Sequence, residues 1–336
     1  MRARIEDVAR QAGVSTKTVS RVLNHEPNVR EQTRERVLEV VRKLDYRPNP
    51  SARSLAANRS FLIALLYDNP SPNYVMEIQG GVLEACDAHQ FSMMVRPLDS
   101  QAPDFVATVQ SLIGQQRPDG LILTPPITDH PELLAHLDQL DLPYATVSSR
   151  IQGSIGVTMD ETRAAAEITS HLVRLGHRRI AHVIGHPAHG GSELRLAGYR
   201  KAMAEAGIDV RSEWVVPGAF SFASGVAAAR QLMALDSPPT AIFAANDDMA
   251  AGVIWATADA GWRVPQDLSV AGFDDTPISR QVWPAVSTVR QPSRDMGRIA
   301  ALQLLRRIRH GEPGELVQVP YTLQLRDSTA SCKRDA

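Results

Sequence analysis

The sequence is poor in cysteine. Only Cys86 and Cys332 occur in 336 residues, one inside a helical pattern and the other in a polar tail. That pair encodes neither a disulfide framework nor a metal-ligand spacing, and it fits a reducing compartment. No apolar run reaches the ~18 residues that a membrane span needs. The opening stretch MRARIEDVARQAG lacks the apolar core of a secretory leader, so the expectation is a protein neither exported nor membrane-spanning, resident in the cytoplasm. Also missing are a phosphate-cradling GxxxxGK[ST] loop, a GxGxxG after a strand and a GxSxG nucleophile elbow. No catalysis and no cofactor are expected. His182, His186 and His189 lie close in sequence, but the first falls in a strand pattern and the other two in a loop, so no metal site is expected either.

Net charge is nearly absent too, at −1, until the chain is divided. Residues 1–59 hold 13 Lys or Arg against 7 Asp or Glu, a balance of +6, which leaves 23 against 30, or −7, for residues 60–336. Such asymmetry points the basic end at nucleic-acid phosphates, whose attraction falls with salt.

Within that basic end, IEDVARQAGVSTKTVSRVLN reads as two short helices joined by a glycine turn. Val8, Ala9 and Ala12 share one face of the first helix, and Val19, Val22 and Leu23 one face of the second. Gly13 supplies the positive φ of the turn. Ser15 caps the second helix, so that helix begins near Thr16 and turns Thr16, Lys17, Thr18 and Arg21 outward, as a helix reading base edges must. A third helix, roughly 31–43, carries a core stripe of Val37, Val40, Val41 and Leu44. Proline breaks the pattern at 46–50, and SARSLAA (51–57) is helix-capable but too short to be helical alone in water.

From Phe61 the pattern changes to apolar runs alternating with amphipathic helices. FLIALLY (61–67), FSMMVRPL (91–98), GLILTPP (120–126) and YATVS (144–148) read as buried strands, with helices beginning near Tyr74, Asp104 and Pro131. A second series follows at 178–185, 213–218, 240–246 and 268–275, with helices near 161–175, 193–206, 222–235 and 248–260. Repeated βαβ units of this kind predict parallel sheets covered on both faces. Ligands in such sheets lie beyond the carboxyl ends of the strands. Those ends carry Tyr67, Asn69, Ser148, His186, Phe220, Asn246, Asp247, Asp274 and Asp275, with Arg195 in the first turn of a helix begun near Ser192: hydroxyl-binding groups with aromatic walls.

The run DVARQAGVSTKTVSRVLN resembles the headpiece of the LacI/GalR family of bacterial repressors. The resemblance implies an N-terminal all-α helix-turn-helix headpiece plus an α/β core of two doubly wound parallel-sheet subdomains, periplasmic-binding-protein-like. The implied division is a headpiece at 1–48, a hinge helix or linker at 49–59 and a two-lobed core at 60–336. Its first lobe spans about 60–160 and 291–320, its second about 161–290 and 321–330. The segment Ser287–Gln291 and a helix from about Arg294 to His310 are expected to return to the first subdomain, with crossings near 159–162, 289–292 and 320–322.

By position in the motif, Thr16, Lys17 and Arg21 fall where the family reads bases in the major groove, above the capping Ser15. Ser20 and Asn24 fall among its phosphate contacts, and Leu55 at a minor-groove wedge. Ser192, Arg195 and Gly198 match an "S...R..G" motif, Asn246-Asp247 an "ND" motif and Asp274 the first acid of "G(F/Y)DD". In sugar-responsive members Arg195, Asn246 and Asp274 would hold ligand hydroxyls and Phe220 would stack. Asp247 and Asp275 read better as caps or loop anchors. Two departures stand in the headpiece: Arg4 and Arg30 precede helices where the family has Thr or Ser, with Glu6, Asp7 and Glu31 compensating through the helix dipole. A third is Ser148, where some sugar-binding members have Asp.

The implied protein is a ligand-responsive transcriptional regulator, a homodimer on a pseudo-palindromic operator in double-stranded DNA. It would repress carbohydrate-utilisation genes under a sugar or sugar-derived effector, in the bacterial cytoplasm and with the nucleoid when bound. The rivals are a sugar-binding receptor and an α/β sugar-processing enzyme with an appended helix-turn-helix.

Overall fold

The computed structural model describes residues 3–23, 28–46, 54, 57, 59–148 and 155–332. The chain separates into two compact units, Met1–Ser60 and Phe61–Ala336.

In the first unit, α1 (Ile5–Ala12), α2 (Thr16–Leu23) and α3 (Glu31–Lys43) enclose Val8, Ala9, Ala12, Val19, Val22 and Val37. Val40, Val41 and Leu44 are half-buried around that nucleus. Gly13 has φ +64°, the left-handed conformation that lets the chain reverse between α1 and α2. Ser15 Oγ accepts from the Thr18 backbone N–H at 3.1 Å, which fixes the start of α2. Neither Arg4 nor Arg30 caps its helix through its side chain. At α1 the deficit is met from inside, where Asp7 Oδ2 accepts from the Arg4 N–H at 3.0 Å.

The second unit holds two six-stranded sheets. The first runs β11-β5-β4-β3-β1-β2, formed by Leu316–Gln318, Gly156–Thr158, Tyr144–Val147, Gly120–Leu123, Leu62–Tyr67 and Ser92–Pro97. All its pairings are parallel. The second runs β12-β10-β9-β8-β6-β7, formed by Thr322–Gln324, Ser287–Arg290, Ser269–Asp274, Ala241–Ala244, Ile180–Val183 and Val215–Val216. It is parallel except for β12, which runs antiparallel to β10. β3, β6, β8 and β9 are buried along their whole length, as strands covered by helices on both faces must be.

One expectation needs correction. Ser287–Arg290 does not return to the first subdomain: β10 pairs with β9 and β12 in the second sheet. Only the helix Ser293–His310 goes back, packing on Pro72–Ala88 and on the first sheet. The close approach of those two helices depends on missing side chains. A Cβ on Gly81 would sit 1.9 Å from the Arg294 carbonyl oxygen, and one on Gly297 2.4 Å from that of Ile78. The chain thus passes between lobes after β5, after β10 and after β11. Three strands, β5, β11 and β12, have no counterpart in the apolar runs of the sequence; each is three residues long.

Among the described residues no helix is long and apolar enough to cross a membrane.

Candidate functional site

In the headpiece, Ser15, Thr16, Lys17 and Arg21 are exposed and Thr18 and Ser20 half-exposed, while Val19 and Val22 of the same helix face inward. The polar side of α2 is therefore presented outward along its N-terminal turns. Asn24 and Leu55 lie outside the described residues.

In the core, the strand order reverses between β1 and β3 in one sheet and between β6 and β8 in the other. At such switch points helices leave on opposite faces and open a crevice at the carboxyl ends of the strands. The two crevices face one another as a single cleft enclosing about 400 Å³, part of it open to solvent. Asn69, Ser71, Tyr74, Pro125 and Ser148 line it from the first lobe, and His189, Gly191, Arg195, Phe220, Asn246 and Asp274 from the second. Glu161 and Gln291, which complete it, stand where the chain crosses between lobes.

Asn69, Ser148, Arg195, Phe220, Asn246 and Asp274 are thus brought together as the strand ends foretold. Tyr67 is not among the lining residues. It is the last residue of β1, and its half-buried side chain packs against the hydrophobic core. The tyrosine on the cleft is Tyr74, in the first turn of the next helix, its pKa raised first by burial and then by the Asp274 and Glu161 charges.

Arg195 is the hub. It is 6 % exposed, and its guanidinium lies over the Phe273 ring at 3.8 Å. Its Nε donates to Glu161 Oε2 at 2.9 Å, Nη1 donates to the Ala245 carbonyl, and Nη2 donates to Gln291 Oε1 at 3.3 Å. Asp274 Oδ1 stands 3.5 Å from Nη2, an ion-pair distance, yet that oxygen receives no hydrogen bond. Burial pushes the Asp274 carboxyl up to about 7, opposed by Arg195 and reinforced by the charges of Glu161 and Asp248. The result is a buried acceptor, beside the cleft, with no donor among the protein's own groups.

Asn246 is more committed than its motif suggests. Its Oδ1 caps the helix Asp247–Asp259 by accepting from Met249 N–H at 2.9 Å, and its Nδ2 donates to the Phe220 carbonyl at 3.1 Å and to Asp248 Oδ2 at 3.4 Å. Only a second lone pair on Oδ1 is left for a ligand. Asp247 and Asp275 are anchors. Asp247 is fully buried and accepts from Thr288 Oγ1 at 2.6 Å and from Thr276 N–H at 2.8 Å. Asp275 is clamped by Arg290 at 2.7 Å and by Arg326.

Apolar and uncharged groups complete the cleft beside these charged ones. Phe220 meets His189 edge-on at 5.3 Å, and burial pushes His189 down to about 4, so its ring is neutral near pH 7. Ser148, Phe220 and Asp274 hold φ of +57°, +57° and +107°, a concentration of left-handed, non-glycine backbone at one cleft. His182 is in β6, buried in the second lobe, and among the described residues no group of three or more His, Cys, Asp or Glu is placed to hold a metal.

A helix-turn-helix unit followed by a two-lobed α/β core with a polar, aromatic-walled cleft defines the class: a DNA-reading head on a small-molecule-binding body. Residues 4–49 match the model of bacterial regulatory proteins of the lacI family, and residues 169–329 match that of a periplasmic binding protein-like domain. The HTH-type transcriptional repressor PurR of Erwinia tasmaniensis is 35 % identical over 334 residues, covering 98 % of this chain and 97 % of that protein. Among solved structures, the Lac repressor dimer bound to operator and the anti-inducer ONPF aligns with a TM-score of 0.80 at 29 % identity, over 98 % of this chain and 100 % of that one. The transcriptional regulator CelR in complex with cellobiose aligns with a TM-score of 0.74 at 29 % identity, over 97 % and 100 %. The chain belongs to the LacI family of bacterial regulatory proteins.

Proposed function

We propose that this regulator is a repressor that grips a pseudo-palindromic operator as a homodimer, and that a sugar or sugar derivative seated between the lobes changes its operator affinity. The observation that carries the effector reading is the Asp274 carboxylate, 8 % exposed, with one oxygen lacking a hydrogen-bond donor. A ligand hydroxyl supplies that donor, while Phe220 and Tyr74 offer flat apolar faces for a pyranose ring. The CelR complex with cellobiose supports a sugar, and a purine is the second reading. Hydroxyl donors outnumber ring acceptors in a sugar, and the cleft is rich in acceptors.

In this reading residues 1–48 are the DNA-binding headpiece, 49–59 the hinge and 60–336 the effector-binding and dimerisation core. Thr16, Lys17 and Arg21 read bases, Ser15, Ser20 and Asn24 support the contact with the duplex, and Leu55 wedges a base step. Asn69, Ser148, Arg195, Phe220, Asn246 and Asp274 hold the effector. Two headpieces are needed because one recognition helix reads only a few base pairs, and two-fold symmetry extends the site. The ligand biases operator affinity only through its preference for one lobe arrangement, and a coupling of about 1–3 kcal/mol gives roughly 5- to 150-fold. The polar set around Arg195 serves binding, not turnover, and the protein works in the cytoplasm. Thermal-shift screening against a carbohydrate and purine panel, followed by operator binding with each hit, tests the assignment; hits confined to purines would replace the sugar.

A further inference from the structure

The cleft is asymmetric in charge. Among the described residues that line it, Arg195 is the single Lys or Arg, and it faces two carboxylates, Glu161 at 2.9 Å and Asp274 at 3.5 Å, both under a tenth exposed. Much of the guanidinium is also already engaged: Nε, Nη1 and Nη2 each donate once, to Glu161, the Ala245 carbonyl and Gln291, and Asp274 stands at ion-pair distance from Nη2. An incoming phosphate or carboxylate would have to compete with Glu161 for this one cation.

A second place where an anion could sit is the start of the 16-residue helix Gly190–Glu205, whose first turn lines the cleft through Gly191. It is taken. A Cβ on Gly191 would lie 2.8 Å from Glu161 Oε2, so the chain's own carboxylate rests against that turn. Glu161 itself is the first residue of the helix Glu161–Arg174, which Asp160 caps by accepting from the Arg163 N–H at 2.9 Å, so its position is set by the crossing after β5.

Resting on the effector reading above, we propose that Glu161 sets the charge selectivity of this cleft: by placing its carboxylate against Gly191 and engaging Arg195, it admits uncharged or cationic polyhydroxyl effectors and rejects phosphorylated or carboxylated ones. A bound anion would stand against the Glu161 carboxylate and the Asp274 carboxyl, with one arginine between them, in a site where charges are weakly screened. An uncharged polyol meets no such opposition and supplies Asp274 with its missing donor. An amino sugar gains a further attraction. Glu161 is accordingly a positioning residue for Arg195 and a specificity-determining residue for the ligand.

Two measurements on the full-length protein test this, one of them independent of any ligand. The first is a carboxyl ¹³C titration of Asp274, assigned by difference with Asp274→Asn, in the wild type and in Glu161→Gln. Asp274 is faced by Arg195, Glu161 and, further off, Asp248, and loss of the Glu161 charge lowers its midpoint; an unchanged midpoint overturns the proposal even if sugars bind. The second is calorimetric binding of galactose, glucose and ribose, each beside its amino, uronate or phosphate derivative. For whichever parent binds, the anionic derivative is expected to be at least tenfold weaker, and the gap to narrow in Glu161→Gln. An anionic derivative that binds as well as its parent overturns the selectivity while leaving the effector reading intact.

Discussion

The Ser71 hydroxyl of the first lobe donates to Asp248 Oδ2 of the second across 2.5 Å, a hydrogen bond that spans the cleft at its rim. Asn73 Nδ2 adds a longer contact to the other oxygen at 3.4 Å, and Asn246 Nδ2 reaches the same carboxylate from within the second lobe at 3.4 Å. The segment after β1 is thereby tied to the segment after β8, beside the cleft. Hydrogen bonds to charged groups contribute roughly 1.5–3 kcal/mol. Ser71→Ala is expected to loosen the closed arrangement, weakening effector binding by about tenfold or more in calorimetry and enlarging the radius of gyration of the core in solution scattering. If both quantities match the wild type, the bond does not hold the lobes together.

A pH effect on stability follows from His182. Its ring stacks between Tyr199 at 5.2 Å and Phe243 at 4.7 Å, Nδ1 donates to the Phe243 carbonyl at 2.9 Å, and Nε2 has no partner. Burial pushes it down to about 4, against about 6.5 in the unfolded chain. Between those values the unfolded state takes up a proton that the folded state refuses. Stability is therefore full above pH 6.5 and lost as the pH falls toward 4, by up to about 1.4 kcal/mol per pH unit for this one group. Urea unfolding of His182→Phe is expected to show a shallower acid slope than the wild type. Parallel slopes would show that His182 does not contribute.

Gly81 offers a packing test. A methyl group there meets the Arg294 carbonyl at 1.9 Å, so Gly81→Ala must push apart the helices Pro72–Ala88 and Ser293–His310. Overpacking of this kind costs about 1–3 kcal/mol, expected as a fall in Tm of the core with the headpiece's own melting unchanged. An unaltered Tm would mean the helix pair yields without cost.

Much of this was legible beforehand because buried parallel strands are continuous apolar runs and helix starts carry caps: β1, β6, β8 and β9 and the start of α2 at Thr16 fall where the pattern put them. The strands that escaped notice, β5, β11 and β12, are too short for periodicity to register, and the membership of β10 in the second sheet is a matter of tertiary pairing. In the cleft, strand-end reasoning found Asn69, Asn246 and Asp274 but chose Tyr67 over Tyr74, because the last residue of a strand alternates its side chain in a way that sequence position alone does not reveal. Glu161 and Gln291 were missed as lining residues. Their signal was present: the crossings expected near 159–162 and 289–292 contain them, and a chain that passes between two lobes passes beside whatever lies between them.

Leu55 lies outside the described residues, so its role rests on its place in the motif. A wedge that unstacks a base step serves only the bent, specific complex. Leu55→Ala is expected to reduce operator affinity strongly, by tenfold or more in fluorescence anisotropy, with effector affinity nearly unchanged. Undiminished operator binding removes the wedge.

The most direct measurement is operator binding under effector control, in the wild type and in Asp274→Ala. Genomic fragments selected by the purified full-length protein are titrated by anisotropy with and without the effector found by screening. The expectation is a preference for a small set of pseudo-palindromic fragments, an effector-induced change of roughly 5- to 150-fold, and loss of that change in Asp274→Ala with operator affinity retained when no effector is present. Equal affinity for all fragments, or an Asp274→Ala protein that still responds in full, would contradict it.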